Sequence, residues 1–201
     1  MFIVVRSIEE DKPGPKWAKR FHKNWPFYKT WFLSEGADER PGYLTSSEKL
    51  EEFMPELYPV YKELCSLAGG GDLESRFLSQ WTPPPYMSGC SQLAWIKDGP
   101  ALFRNYDYGI EFFEGLLLKT NWLQPVIGMS DSSWGLLDGI NSHGLVASLT
   151  FGGRKITGKG IGIPLIIRYI LETCTDVHEG IEALVRPARL VGRGKDVLDA
   201  V

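Results

Sequence analysis

Cysteine and histidine are both scarce, three of each in 201 residues, and no two cysteines are spaced as CxxC. An odd count scattered over Cys65, Cys90 and Cys174 speaks against a disulfide framework. With His22, His143 and His178 equally dispersed, no metal-ligand cluster is suggested, and neither metal nor cofactor is expected. Long apolar runs are also missing: none approaches the roughly 20 residues that span a bilayer. The opening Met1-Phe2-Ile3-Val4-Val5 turns charged at Glu9-Glu10-Asp11-Lys12 before a secretory hydrophobic region can form. A Lys/Arg block is absent and the formal net charge is −3, so there is no electrostatic footprint for nucleic acid or an anionic membrane. The expectation is a cytoplasmic protein that handles a small molecule. At 43% hydrophobic and 23% charged residues the composition is that of a globular chain with a sizeable core.

Along the chain, the first 45 residues are rich in Trp, Lys and Pro without clear periodicity, and read as an irregular extension that packs its aromatics on the body. Thr45 with Glu48 makes a capping box for a helical stretch to Leu67, interrupted by Pro55 and Pro59, and a short helix follows from Asp72 to Ser79. Pro83-Pro84-Pro85 is a linker. Then come strand-like runs at Gln92 to Ile96, Ala101 to Tyr106, Gly115 to Lys119, Pro125 to Met129, Trp134 to Ile140 and Leu145 to Phe151. Two helices close the pattern, Pro164 to Cys174 and a second to Val185 capped by Asp176 and Glu179. Strands followed by helices indicate an α+β layered fold, with residues 1–89 as an N-terminal, propeptide-like segment and 90–201 as the main domain.

Cys90 stands apart from the other cysteines, which lie in apolar helical contexts and read as inert. It follows Gly89 at the start of a strand, and Lys97-Asp98-Gly99-Pro100 supplies hairpin-loop signals before the return strand. Closing a four-residue loop between Ile96 and Ala101 sets Cys90 opposite Asp107, with both side chains on one face. Arg104 then points to the other face, so a catalytic Arg104 needs a bulge or a twist in that strand. Cleavage of the Gly89–Cys90 bond would give Cys90 an α-amine of pKa about 8 beside a thiol of about 8.5, a base and a nucleophile in one residue. Asp107 could orient that amine, and Arg104 could hold a thiolate or a substrate carboxylate.

The segments Gly89-Cys90-Ser91, Arg104-Asn105-Tyr106-Asp107-Tyr108, Leu137-Asp138-Gly139-Ile140-Asn141-Ser142-His143-Gly144-Leu145 and Leu149-Thr150-Phe151-Gly152-Gly153, in that order, resemble the linear-amide branch of the N-terminal-nucleophile hydrolases. That branch includes acyl-coenzyme A:6-aminopenicillanate acyltransferase, penicillin V acylase and choloylglycine hydrolase. The resemblance implies an αββα sandwich, a precursor that cuts itself before the cysteine, and action on a non-peptide C–N amide or an acyl donor. By motif, Cys90 is the nucleophile, Asp107 orients its amine, Arg104 lies next to the thiol, and Thr150 contributes a backbone N–H to the oxyanion hole. Asn141 and Gly144 are sufficiently explained as turn residues. The long segment before Cys90 is similar to acyltransferase-type precursors, whereas 186–195 offers no oxyanion Asn, so the chain is expected to be incomplete at its C-terminus. The competing reading is a non-catalytic relative that associates with a partner. Self-association is left open.

Overall fold

Trp17, Phe21, Trp25, Tyr28 and Phe32 recur every three or four residues, the spacing of one helix face. In the computed structural model, which describes residues 3–85, 89–150 and 158–190, with side chains as far as 185, they line helix α1 (Pro15–Phe32). The irregular extension expected there is corrected to a helix. Pro15 opens it where a missing N–H does no harm, and burial of the stripe outweighs the interior Pro26, a lesion of about 3 kcal/mol. Helices α2 (Tyr43–Phe53), α3 (Tyr58–Leu67) and α4 (Asp72–Leu78) complete the block. Gly42 caps α2 with no side-chain cap bond, so the Thr45–Glu48 box is not used.

Among the described residues the main sheet has five strands. Strands β4 (Leu116–Asn121), β5 (Pro125–Asp131), β6 (Gly135–Asn141) and β7 (Val146–Ser148) pair antiparallel in sequence order. The edge beside β4 is taken, in parallel, by β1 (Arg6–Glu10), a strand from the segment before Cys90 that the sequence pattern does not announce.

Helix α5 (Ile163–Thr173) lies on one face of this sheet, over glycines that let it approach. A Cβ on Gly139 would sit 2.7 Å from Ile127 O and 2.9 Å from Leu171 Cδ1, and one on Gly135 would sit 2.6 Å from Pro164 Cβ. Leu165 and Tyr169 of α5 join the aromatic core of the N-terminal helices together with Trp134, while Ile167, Ile170 and Leu171 pack with Val126, Leu136 and Leu137. One helix therefore belongs to two cores. Its buried Arg168 pairs with Glu172 at 2.6 Å and stacks 4.3 Å from the Trp122 ring. Helix α6 (Val177–Leu190) starts with the expected cap, Glu179 N–H donating to Asp176 Oδ1 at 2.9 Å.

Gly139 faces α5, so its neighbour Asp138 points to the opposite face of the sheet. There a second, two-stranded sheet is stacked, formed by β2 (Gly89–Trp95) and β3 (Ala101–Asp107), and Tyr106 of β3 donates to Asp138 at 2.5 Å. The fold is α+β, as expected, with helix, sheet and sheet in succession. Phe151 to Gly153 of the fourth motif, and the stretch from Val191 onward that was expected to lack an oxyanion Asn, lie outside the described residues.

Where α1 meets the sheet, Glu114 is enclosed: Tyr28 Oη and Ser133 N–H donate to its Oε1, and Oε2 is buried with no hydrogen-bond partner among the described residues. Burial, then the nearby Asp131 carboxylate, push its pKa up from 4.5 to about 7, against the pull of Ser130, Ser133 and Arg20. Between those values the folded protein holds a proton that the unfolded chain releases. The stability that this group contributes is therefore fully present below about pH 4.5 and is lost as the pH rises through about 7, about 3 kcal/mol in all. Glu114→Gln is expected to flatten that slope in urea midpoints measured between about pH 5 and pH 8. An unchanged slope would contradict the assignment.

Candidate active site

In the β2–β3 hairpin, Gly89 is paired with Asp107, Cys90 with Tyr106, Ser91 with Asn105 and Gln92 with Arg104, ending at Trp95 with Ala101. The loop is thus Ile96 to Pro100, one residue longer than expected, and Asp98 (φ 62°) and Gly99 (φ 115°) turn it in the left-handed region. A shift of one residue reverses every face. Two expectations are corrected by it. Asp107 does not face Cys90, because its side chain lies on the other side of the hairpin. Arg104 shares the face of Cys90, and no bulge is needed to bring it there.

On the inner face, against the five-stranded sheet, the Arg104 guanidinium is held on several edges. Nη2 donates to Cys90 Sγ at 3.1 Å. Nη1 donates to Leu137 O at 2.5 Å and to Ser148 Oγ at 2.6 Å. Nε lies 3.4 Å from Asp138 Oδ2, and the Tyr106 ring stacks 4.8 Å from the guanidinium carbon. The Arg104 side chain is only 6% exposed, so these partners replace its water. Burial, then its bond to Asp138, push the Tyr106 phenol well above the usual tyrosine range, which keeps it a hydrogen-bond donor. Tyr106, Asp138 and Ser148 were not selected from the sequence, although the first two stand inside the motifs quoted there.

On the outer face, Ser91 Oγ donates to Asp107 Oδ2 at 2.5 Å and Asn105 Nδ2 donates to Asp107 Oδ1. Gly89 is needed where it is: a Cβ would sit 2.6 Å from Asp107 O, a backbone atom that cannot swing away. Thr150 follows β7 by two residues, and its Oγ1 is buried with no hydrogen-bond partner among the described residues. Asn141 does more than turn the chain. Its Oδ1 accepts from His143 N–H and Leu145 N–H, and its Nδ2 donates to Leu171 O and Cys174 O, tying the hairpin to the end of α5.

None of the three cysteines is in a disulfide. Burial pushes the thiols of Cys65 and Cys174 up, as expected of inert cysteines, whereas half-buried Cys90 has a cation against its sulfur. A groove of about 810 Å³ is lined by Glu56, Tyr169, Cys174, His178 and Glu182 among others and shares no residue with the Cys90 cluster. Among the described residues no group of acidic, Cys or His side chains could hold a metal ion.

What this cluster can do chemically is stabilise a thiolate, or an anionic substrate group, beside a thiol at a strand start. The family described as acyl-coenzyme A:6-aminopenicillanic acid acyl-transferase matches residues 95–199, just over half of the chain. The match takes in Arg104, Asp107, Asp138 and Thr150 and begins beyond Cys90. No curated protein and no solved structure matches.

The close approach at Gly89 is testable by itself. Gly89→Ala is expected to lower the denaturant midpoint, by about 1 to 3 kcal/mol in stability, while Gly158→Ala, with open space around the added Cβ, stays within about 0.5 kcal/mol of wild type. Equal effects at the two glycines would remove the steric argument.

Proposed function

The chain belongs to the acyl-coenzyme A:6-aminopenicillanic acid acyl-transferase family, and from that premise we propose a self-processing cysteine amidase or acyl-transferase that moves the acyl group of a non-peptide linear amide through a thioester on Cys90. The observation that carries this reading is the Arg104 Nη2 to Cys90 Sγ contact of 3.1 Å in a nearly buried site.

Processing comes first. Cys90 Sγ attacks the Gly89 carbonyl carbon, the Gly89–Cys90 C–N bond breaks, and the nitrogen takes up a proton to become the free amine of Cys90. Water then hydrolyses the thioester, leaving the Gly89 carboxylate and the thiol. In turnover that amine accepts the thiol proton, the thiolate attacks the substrate carbonyl, and the amine returns the proton to the leaving nitrogen. Water or a second amine takes the acyl group from sulfur. Arg104 holds the thiolate, and the Thr150 N–H donates to the tetrahedral oxyanion, an interaction typically contributing about a hundredfold to a thousandfold in rate. Asp107, the cross-strand partner of Gly89, orients the new amine.

The placement of β1 beside β4, and of the α1 aromatics in one core with Trp134 and Leu165, would hold fragments 1–89 and 90–201 together after the cut. Among the described residues no helix is long and apolar enough to cross a membrane, and a reducing cytoplasm would keep the thiol active. A second reading, a non-catalytic relative that associates with a partner, is favoured by the exposed Leu93, Trp95 and Phe103 on the outer face of the hairpin.

Intact mass and N-terminal sequencing separate the two. The expected result is a new N-terminus at Cys90, lost in Cys90→Ala and kept in Cys65→Ala. Processing that persists in Cys90→Ala would end the nucleophile assignment, and an uncut wild-type chain without amidase activity would favour the second reading. Asp107→Asn is expected to lower turnover by about tenfold to a thousandfold with the fold retained, and wild-type rates would remove Asp107 from the site.

A further inference from the structure

We propose that Asp138 is a positioning residue for the nucleophile: it acts through Arg104, whose guanidinium it neutralises and holds against the Cys90 thiol. The inference rests on the reading of Cys90 as nucleophile and adds to it the carboxylate on the thiol's own face of the hairpin.

Arg104 is a cation nearly out of water. A guanidinium that is 6% exposed needs a counter-charge as well as acceptors, because an unpaired buried cation rotates out or unfolds its surroundings. Leu137 O and Ser148 Oγ satisfy Nη1 but carry no charge. On the inner face, where Cys90, Arg104 and Tyr106 meet β6, the anion is Asp138, 3.4 Å from Nε. Asp107, the other carboxylate of this region, is turned to the outer face and bound by Ser91 and Asn105.

Asp138 is itself fixed. The Tyr106 hydroxyl donates to the same Oδ2 at 2.5 Å, while the Tyr106 ring supports the guanidinium from below at 4.8 Å. Tyr106 is also the cross-strand partner of Cys90, and Asp138 is paired with Ser148, whose Oγ accepts from Arg104. Carboxylate, phenol, guanidinium and thiol thus form one chain of contacts from β6 to the start of β2. Loss of the carboxylate releases Arg104 toward solvent and leaves the thiol without its cation, which disfavours the thiolate.

The test reads the thiol directly. Iodoacetamide alkylation of Cys90 is followed against pH by peptide mass in the full chain, and peptides with the Gly89–Cys90 bond intact are scored apart from those beginning at Cys90, so that variants are compared in one processing state. Arg104→Met and Asp138→Asn are each expected to slow alkylation of Cys90 near neutral pH by about tenfold. In the double variant, Asp138→Asn adds nothing to Arg104→Met. A slowing of less than about 1.5-fold in Asp138→Asn, or one that persists in the Arg104→Met background, overturns the proposal. If Asp138→Asn does not fold, Tyr106→Phe reads the same link: a smaller slowing that vanishes with Arg104→Met supports the proposal, and no slowing overturns it. Alkylation needs no turnover, so a chain that shows this coupling without amidase activity would sink the functional reading and leave the positioning role standing.

Discussion

A nearly buried guanidinium needs a counter-charge and acceptors, and the requirement of Arg104 for both is the constraint on which the site depends. The residue comes from one sheet, and its acceptors Leu137 O and Ser148 Oγ and its counter-ion Asp138 come from the other. The two layers are joined there by charge and hydrogen bonds as well as by apolar packing. Cys90 receives the remaining edge of the guanidinium because its strand runs beside that of Arg104 in a register that sets both on one face.

The rest of the fold places those acceptors. Strand β6 alternates between layers: Gly139 lets α5 settle on one side while Asp138 reaches the hairpin on the other. Helix α5 is held in turn by Asn141 at its C-terminal end and by Arg168, which donates from Nε to Trp134 O and is paired with Glu172. The segment before Cys90 supplies an edge strand and most of one hydrophobic core, which makes it an integral part of the architecture that carries the cysteine.

Much of this was legible in the sequence, and the failures are instructive. The strands after Cys90, helix α5 and the cap at Asp176 were readable from alternation, Pro164 and the Asp-x-x-Glu spacing, all local signals. Arg104 beside Cys90 was readable only through the family resemblance. A four-residue loop puts it on the wrong face, and the sequence Lys97-Asp98-Gly99-Pro100 does not state whether four or five residues close the turn. One residue of difference exchanged Asp107 for Tyr106 opposite the thiol. Helix α1 was hidden by Pro13, Pro15 and Pro26, although its aromatic spacing was there to be counted. Strand β1 had no local signal: Arg-Ser-Ile-Glu-Glu is a polar edge whose partner, β4, lies more than a hundred residues away. Asp138 and Ser148 gain their meaning only when two sheets are stacked, a relation no local pattern encodes.

The central claim is that Cys90 is a reactive thiol made so by Arg104. The most direct measurement is the position of the acyl group after brief exposure to p-nitrophenyl acetate, read by mass on the cysteine peptides. The account predicts an acetyl thioester on Cys90, formed at a rate that falls about tenfold or more in Arg104→Met, with Cys65 and Cys174 unlabelled. Label on Cys65 or Cys174 in preference to Cys90, or a rate on Cys90 indifferent to Arg104→Met, would contradict it.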